Sequence, residues 1–163
     1  MKAQSAGILV YRFVGRRLQI LLVHPGGPFW AGKDQAAWSI PKGLFEADET
    51  PLEAAKREFQ EETGFAADGD FIDLGTLRQS SGKIVHAWAL EMDLDPARIV
   101  SNTFRMEWPK GSGRLQEYPE VDRGQWLDVP QARRKIVKGQ ARFIDALLEK
   151  LPAAATDPGR RDT

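Results

Sequence analysis

Residues 43–65 read GLFEADETPLEAAKREFQEETGF, and they contain the clearest helix signal in the chain. Thr50 is a good N-cap, Pro51 is tolerated at the first helical position, and Glu53 stands where a capping box needs its acid. Leu52, Ala55 and Phe59 form an apolar stripe at helical spacing, and Gly64 is a natural stop. The spacing therefore predicts a helix over 50–64. It also places Glu58, Glu61 and Glu62 on one face. Like charges at this spacing repel by roughly 0.2–0.5 kcal/mol per pair in an isolated helix. Glu61 and Glu62 also lie in the last turn, where the macrodipole disfavours anions. Local helix physics opposes the arrangement, and a broken local rule is where function is expected. A divalent cation would reverse the sign of the problem, and hard oxygen ligands suit Mg²⁺ or Mn²⁺. A solvated acidic face is the plain alternative for the helix taken alone.

The same stretch resembles the Nudix box. Gly43, Glu49, Arg57, Glu58, Glu61, Glu62 and Gly64 fall on its fixed positions, and Phe59 and Phe65 on its apolar ones. Phe59 is bulkier than the usual aliphatic residue there. The resemblance implies an α/β/α sandwich with a central mixed β-sheet, in which a loop–helix–loop holds the cations. It makes Glu58, Glu61 and Glu62 the metal-facing carboxylates, with Glu58 and Glu62 foremost for direct ligation and one of the acids acting on the attacking water. The carbonyl of Lys42 is a further implied ligand, and Arg57 with Glu49 the pair that orients the box. A surface salt bridge between those two would be worth little. The implied chemistry is cleavage of a phosphoanhydride, where Mg²⁺ neutralises charge on phosphate oxygens and positioned water attacks phosphorus. In this reading Gly43 lets the backbone approach the metal, and Gly64 permits the positive φ that ends the helix.

Upstream of the box, residues 5–14 and 17–24 read as strands joined at Gly15–Arg16. Residues 24–38, HPGGPFWAGKDQAAW, form a loop, followed by a short strand from about Ala37 to Pro41. Gly-rich backbone and Lys33 can bind phosphate, and Phe29 and Trp30 can stack on a base. Buried packing is the competing explanation for both aromatics. The segment HPGGPFW resembles a subgroup described as predicted NTP pyrophosphohydrolases. Pro41-Lys42-Gly43 resembles the entry to the box in diadenosine polyphosphate and diphosphoinositol polyphosphate hydrolases, not the Gln-Gly variant of RNA cap-removing relatives. The Lys42 side chain is thus a phosphate-binding candidate, against the alternative of a solvated lysine.

Downstream, residues 70–79 and 83–93 read as a hairpin turning at Ser80–Gly82, and 102–108 as a short strand. Residues 109–124 are expected to be a long loop, 125–128 a short strand, and 130–137 and 139–151 helices. Residues 1–151 make one domain, and 152–163 read as a disordered tail. In the 83–93 strand, Ile84, His86 and Trp88 share one face and Val85, Ala87 and Ala89 the other; His86 is given no catalytic role. The segment RLQEYPEVDRGQW offers Glu117, Glu120 and Asp122 as distal acids. By family resemblance, an acid six positions before a late-strand Trp joins the metal site. Glu120 stands six before Trp126 and is favoured as metal ligand and catalytic acid, with Glu117 second.

The chain has 163 residues with 23 basic and 23 acidic side chains and no cysteine. Neutral charge gives no reason to expect a stable nucleic-acid complex or a membrane partner. Lack of cysteine excludes disulfides, thiolate metal sites and a cysteine nucleophile, and is compatible with the cytoplasm. No apolar run approaches a membrane span, and the N-terminus does not read as a signal peptide. The expected activity is Mg²⁺-dependent hydrolysis of a nucleoside diphosphate linked to another moiety, dinucleoside polyphosphates first. Nucleoside triphosphate pyrophosphohydrolysis and a non-catalytic nucleotide-binding module are the alternatives. A homodimer follows only from family analogy.

Overall fold

In a computed structural model, residues 4–152 are described; the tail expected at 152–163 lies outside them apart from Pro152. The chain runs β1 (Gln4–Val14), β2 (Arg17–Pro25), β3 (Lys42–Leu44), α1 (Pro51–Thr63), β4 (Phe71–Arg78), β5 (Ile84–Glu91), β6 (Thr103–Glu107), β7 (Leu115–Pro119), β8 (Val121–Asp128), α2 (Val129–Lys135) and α3 (Ala141–Lys150). The main sheet has the order β4-β5-β1-β2-β8, with β3 also paired to β1. β1 and β5 are parallel, whereas the other pairs are antiparallel. The sheet is therefore mixed, as expected.

Alternation along the strands divides the core between the two faces of the sheet. Leu9, Ile20, Leu22, Val85 and Ala87 pack with Phe143, Ile144 and Leu147 of α3 and Ala132 of α2. Ile8, Val10, Leu21, Trp88 and Leu90 pack with Ala54, Ala55 and Phe59 of α1. Both faces are covered, which gives the α/β/α layering and explains why β1 is buried from Ser5 to Tyr11. Phe59 is fully buried, so the bulky residue in the box is absorbed by packing, and its burial contributes roughly 1.5–3 kcal/mol. His86 stacks on Trp88 at 3.9 Å between ring centroids and meets Asp73 Oδ1 at 2.8 Å.

Two expectations need correction. The strand expected over Ala37–Pro41 is reduced to isolated bridges at Trp38 and Ser39, and regular pairing comes at β3 instead. Proline has no N–H for a ladder, and here the Pro41 carbonyl accepts from the Ile8 N–H at 3.1 Å. A Cβ on Gly7 would stand 2.6 Å from the same oxygen, so β1 and this segment can approach only because residue 7 is glycine. The long loop expected over 109–124 contains β7, which pairs with β6 as a separate two-stranded sheet, and the start of β8. β7 is mostly exposed, so no buried alternation marks it in the sequence. Among the described residues, no helix is long and apolar enough to cross a membrane.

Candidate active site

Helix α1 carries the site and is fixed at both ends. The Thr50 hydroxyl accepts from the Glu53 N–H at 3.3 Å, and the Glu53 carboxylate accepts from the Thr50 N–H at 3.2 Å. Gly64 ends the helix in the left-handed region at φ 81°, a conformation that costs glycine little. The Asn102 N–H then donates to the Glu61 carbonyl at 2.7 Å, and the Glu120 N–H donates to the Asn102 carbonyl at 2.8 Å. This short chain of backbone bonds ties the last turn of α1 to the junction between β7 and β8.

Arg57 is the hub of the box. Its Nε and Nη2 donate to the two oxygens of Glu49 at 2.6 and 2.9 Å. Nη2 also donates to the Leu44 carbonyl at 2.9 Å, while Nη1 donates to Glu58 at 2.8 Å and to Glu61 at 3.1 Å. Such a bidentate, charge-assisted set fixes geometry in a way a lone surface pair does not. The Arg57 hydrogen bonds hold Glu49 below the usual carboxylate range, and Glu49 in turn raises Arg57.

The clustered acids behave in the opposite way. Burial, followed by the charges of Glu58 and Glu120, pushes Glu62 up to about 8. Burial also raises Glu58, against the pull of Arg57, and raises Glu120, with Glu61 adding to the effect. The Glu62 carboxylate accepts from the Lys42 N–H at 3.3 Å; thus it is the amide of Lys42 that touches this acid. Gly43 sits against the carboxyl of Glu58, and any Cβ there would collide with it. Among the described residues, no three acidic or histidine side chains close on one point at ligand spacing. Crowded, mutually repelling carboxylates with raised proton affinity are nevertheless the donor set that a hard divalent cation suits.

The distal acids separate cleanly. Glu120 senses Glu61 and acts on Glu58 and Glu62 electrostatically. Glu117 lies on β7, 3.9 Å from Arg105 on the neighbouring strand. Asp122 faces Nδ1 of the buried His24 at 3.0 Å, while His24 Nε2–H donates to the Lys33 carbonyl at 2.7 Å. His24 thereby anchors the 26–36 loop to the end of the sheet.

In that loop, Phe29 is 58% exposed. Trp30 is half-buried against the α2–α3 side of the core. The Lys33 ammonium stands 3.6 Å from the Phe29 ring centroid and 5.4 Å from that of Trp30, within cation–π range. Two cavities adjoin here. One, of about 390 Å³, is lined by Phe29, Trp30, Phe104 and Met106. The other, of about 330 Å³, contains Lys42 and Glu62 with Ser39, Gln79 and Gln140. Pro25, Trp30 and Glu120 border both. The structure thus brings Glu62, Glu120, Lys42 and Trp30 to the walls of these cavities, with Glu58 and Glu61 near enough to act on Glu62 and Glu120 electrostatically. Sequence reasoning missed Phe104, Met106, Gln79 and Gln140. Gln140 is buried and carried a usable signal, a polar residue beside an apolar helix face; its amide holds the Ile40 N–H and the Ser39 hydroxyl.

The NUDIX domain family model matches residues 1–147, and the chain belongs to that family. An RNA pyrophosphohydrolase of Alkalilimnicola ehrlichii is 47% identical over 143 residues, covering 81% of this chain and 77% of that protein. Two structures share the fold. The NUDIX domain of Shewanella oneidensis NrtR complexed with ADP ribose has a TM-score of 0.64 at 15% identity, covering 93% of this chain and 90% of that one. The C. elegans Ap4A hydrolase binary complex has a TM-score of 0.61 at 18% identity, covering 90% and 96%. The chain spans only 25% of a matching octanoyltransferase of Myxococcus xanthus and 22% of an RNA pyrophosphohydrolase of Stenotrophomonas maltophilia.

Proposed function

We propose that this chain hydrolyses a phosphoanhydride bond in a nucleoside diphosphate linked to another moiety, with dinucleoside polyphosphates as the first substrate class and Mg²⁺ as the cofactor. The observation that carries this reading is the set Glu58, Glu61, Glu62 and Glu120. Their burial and mutual repulsion raise Glu58, Glu62 and Glu120 beside a cavity that also holds Lys42. Glu58 and Glu62 would hold the cation, with the Lys42 backbone as a further donor and Mn²⁺ as an alternative ion. When bound, the cation neutralises charge on phosphate oxygens and lowers the pKa of water. Arg57, fixed by Glu49, orients Glu58 and Glu61. Glu61 or Glu120 then accepts the proton of the attacking water. The Lys42 ammonium contacts phosphate as a point charge, while Lys33, Phe29 and Trp30 serve the nucleoside. Residues 1–151 act as one unit in this reading, and the partner is a nucleotide-type small molecule.

A second reading, pyrophosphohydrolysis of an RNA, is favoured by the 47% identical relative named RNA pyrophosphohydrolase. One experiment separates the two. Dinucleoside polyphosphates, nucleoside triphosphates, nucleotide sugars and a 5′-triphosphorylated oligoribonucleotide are incubated with protein and Mg²⁺, and the products are resolved by chromatography. The expected outcome is cleavage of the dinucleotide at a phosphoanhydride. Glu62→Gln should lower activity by more than the roughly 10–100-fold that loss of a metal ligand's supporting partner costs. Full activity in that variant would remove Glu62 from the metal site. Tight nucleotide binding with no turnover would support a binding module instead.

A further inference from the structure

The hairpin β6–β7 contributes little to the core. It forms its own two-stranded sheet, and none of its strand residues is fully buried. Such a ribbon is marginal unless it packs on something. Its root is docked tightly: the Gly26 N–H donates to the Glu120 carbonyl at 3.0 Å. A Cβ on Gly26 would collide with the Pro119 carbonyl, and one on Gly27 would stand 3.0 Å from Phe104 Cζ. Phe104 and Met106 are two residues apart in one strand and so share a face. Both line the 390 Å³ cavity with Phe29 and Trp30. Both are half-buried, and Phe104 tilts against Tyr118 across the ribbon at 6.0 Å between ring centroids, but their cavity side stays open, and a planar, apolar-faced ligand would cover it.

That cavity meets the Lys42–Glu62 cavity at Trp30 and Glu120, so one elongated molecule can occupy both. Among the side chains lining the first cavity, those of Glu120 and Trp30 carry strong hydrogen-bonding groups and the rest are apolar, while the Gly26 N–H is already bonded to the Glu120 carbonyl. Glu120 belongs to the phosphate end. A single N–H can reach a ring nitrogen of either purine and cannot tell them apart. Sites discriminate strongly when they hydrogen-bond the distinguishing group, whereas stacking tolerates any base.

We propose that Phe104 and Met106 of the β6–β7 hairpin form a stacking wall for the substrate's nucleobase, giving a slot that prefers purines to pyrimidines but accepts adenine and guanine alike. This rests on the nucleotide-hydrolase reading above. The hairpin also carries Glu120 at its root, and Asn102 just before β6 bonds both Glu120 and the last turn of α1. Stacking a base against the hairpin therefore also fixes the position of the distal acid.

The test is calorimetric titration of the full chain, with Mg²⁺, with the uncleavable α,β-methylene analogues of ADP, GDP and CDP, and with methylenediphosphonate as the base-free probe. Wild type should bind the two purine analogues within about threefold of each other and the cytosine analogue more weakly. Phe104→Ala should weaken both purine analogues by about five- to a hundredfold, with Phe104→Tyr restoring them. Methylenediphosphonate should bind every variant equally. Should Phe104→Ala fail to fold by circular dichroism, Met106→Ala supplies the same readout. Wild-type affinity in a folded Phe104→Ala or Met106→Ala protein would overturn the stacking wall, as would more than tenfold discrimination between adenine and guanine. Those outcomes leave hydrolysis by wild type intact. Failure of the nucleotide reading shows differently: wild type binds none of the nucleotide analogues and cleaves no phosphoanhydride, which overturns the slot with it.

Discussion

Gly43 shows how a residue's identity can be legible while its reason is not. The sequence reading assigned it to close approach of backbone to a metal. The structure gives a nearer cause: the Glu58 carboxyl fills the space a Cβ would take. No positive φ is recorded at Gly43, so the constraint is spatial and not conformational. Gly43→Ala should push Glu58 away from Arg57 and out of its place. Displaced support for a ligand typically costs 10–100-fold in affinity or activity, and about that loss is expected in kcat/KM, with the circular dichroism spectrum unchanged. Wild-type kcat/KM in Gly43→Ala would show that the close packing is unnecessary. The carboxylates themselves were legible because their clustering opposes helix physics. Phe104 and Met106 were not, since an apolar residue in a strand reads as core until the strand's exposure is known. Glu120 was preferred to Glu117 and Asp122 by family spacing alone; in the structure Glu117 meets Arg105 across the ribbon, Asp122 faces His24 and Glu120 borders both cavities.

Among the elements, α1 was legible nearly to the residue because its end signals are chemical and local. Thr50, Pro51, Glu53 and Gly64 each act within one turn. The hairpin β6–β7 and the true position of β3 were not legible, because each depends on a distant partner: β6 on β7, and β3 on Gly7 of β1. The capping box permits a prediction about the helix alone. Thr50→Ala removes the acceptor for the Glu53 N–H and should cost about 1 kcal/mol. For a domain of this size that lowers Tm by roughly 2–4 °C in a thermal melt. Glu58, Glu61 and Glu62 lie at least two turns further along, and Arg57 holds their end of the box independently. Activity at 25 °C should therefore stay within about twofold of wild type, the scale of a remote surface change. A large loss of kcat with the small loss of stability would mean that the N-terminal turn also positions the site.

For the molecule as a whole, the carboxylate cluster is a load carried by two well-filled cores. Without metal, that load should appear as an unusual dependence of stability on pH. Glu62 is raised from 4.5 to about 8 in the folded chain. Between those values the folded protein keeps a proton that the unfolded chain has released. Stability must then fall as pH rises, by up to about 1.4 kcal/mol per pH unit for one proton. The penalty is absent below about 4.5, where both states are protonated, and complete above about 8. Glu58 and Glu120 are shifted in the same direction and add to the slope. Glu49 works with the opposite sign, because its lowered pKa gives stability that is lost only as pH falls below the ordinary carboxylate range. It lies outside the window and does not cancel the effect. Mg²⁺ competes with the proton for the same oxygens, so in the proposed site it should raise Tm more at pH 8 than at pH 5. Melts of the metal-free protein from pH 5 to 8 should show Tm falling, and Glu62→Gln should flatten the curve by removing the largest contributor. Taking wild type minus variant isolates Glu62 from every other group that titrates in the same range. An unchanged slope in Glu62→Gln would mean that this acid is ionised in the folded protein without a cation. A Tm gain with Mg²⁺ that was equal at pH 5 and pH 8 would place the ion away from these carboxylates.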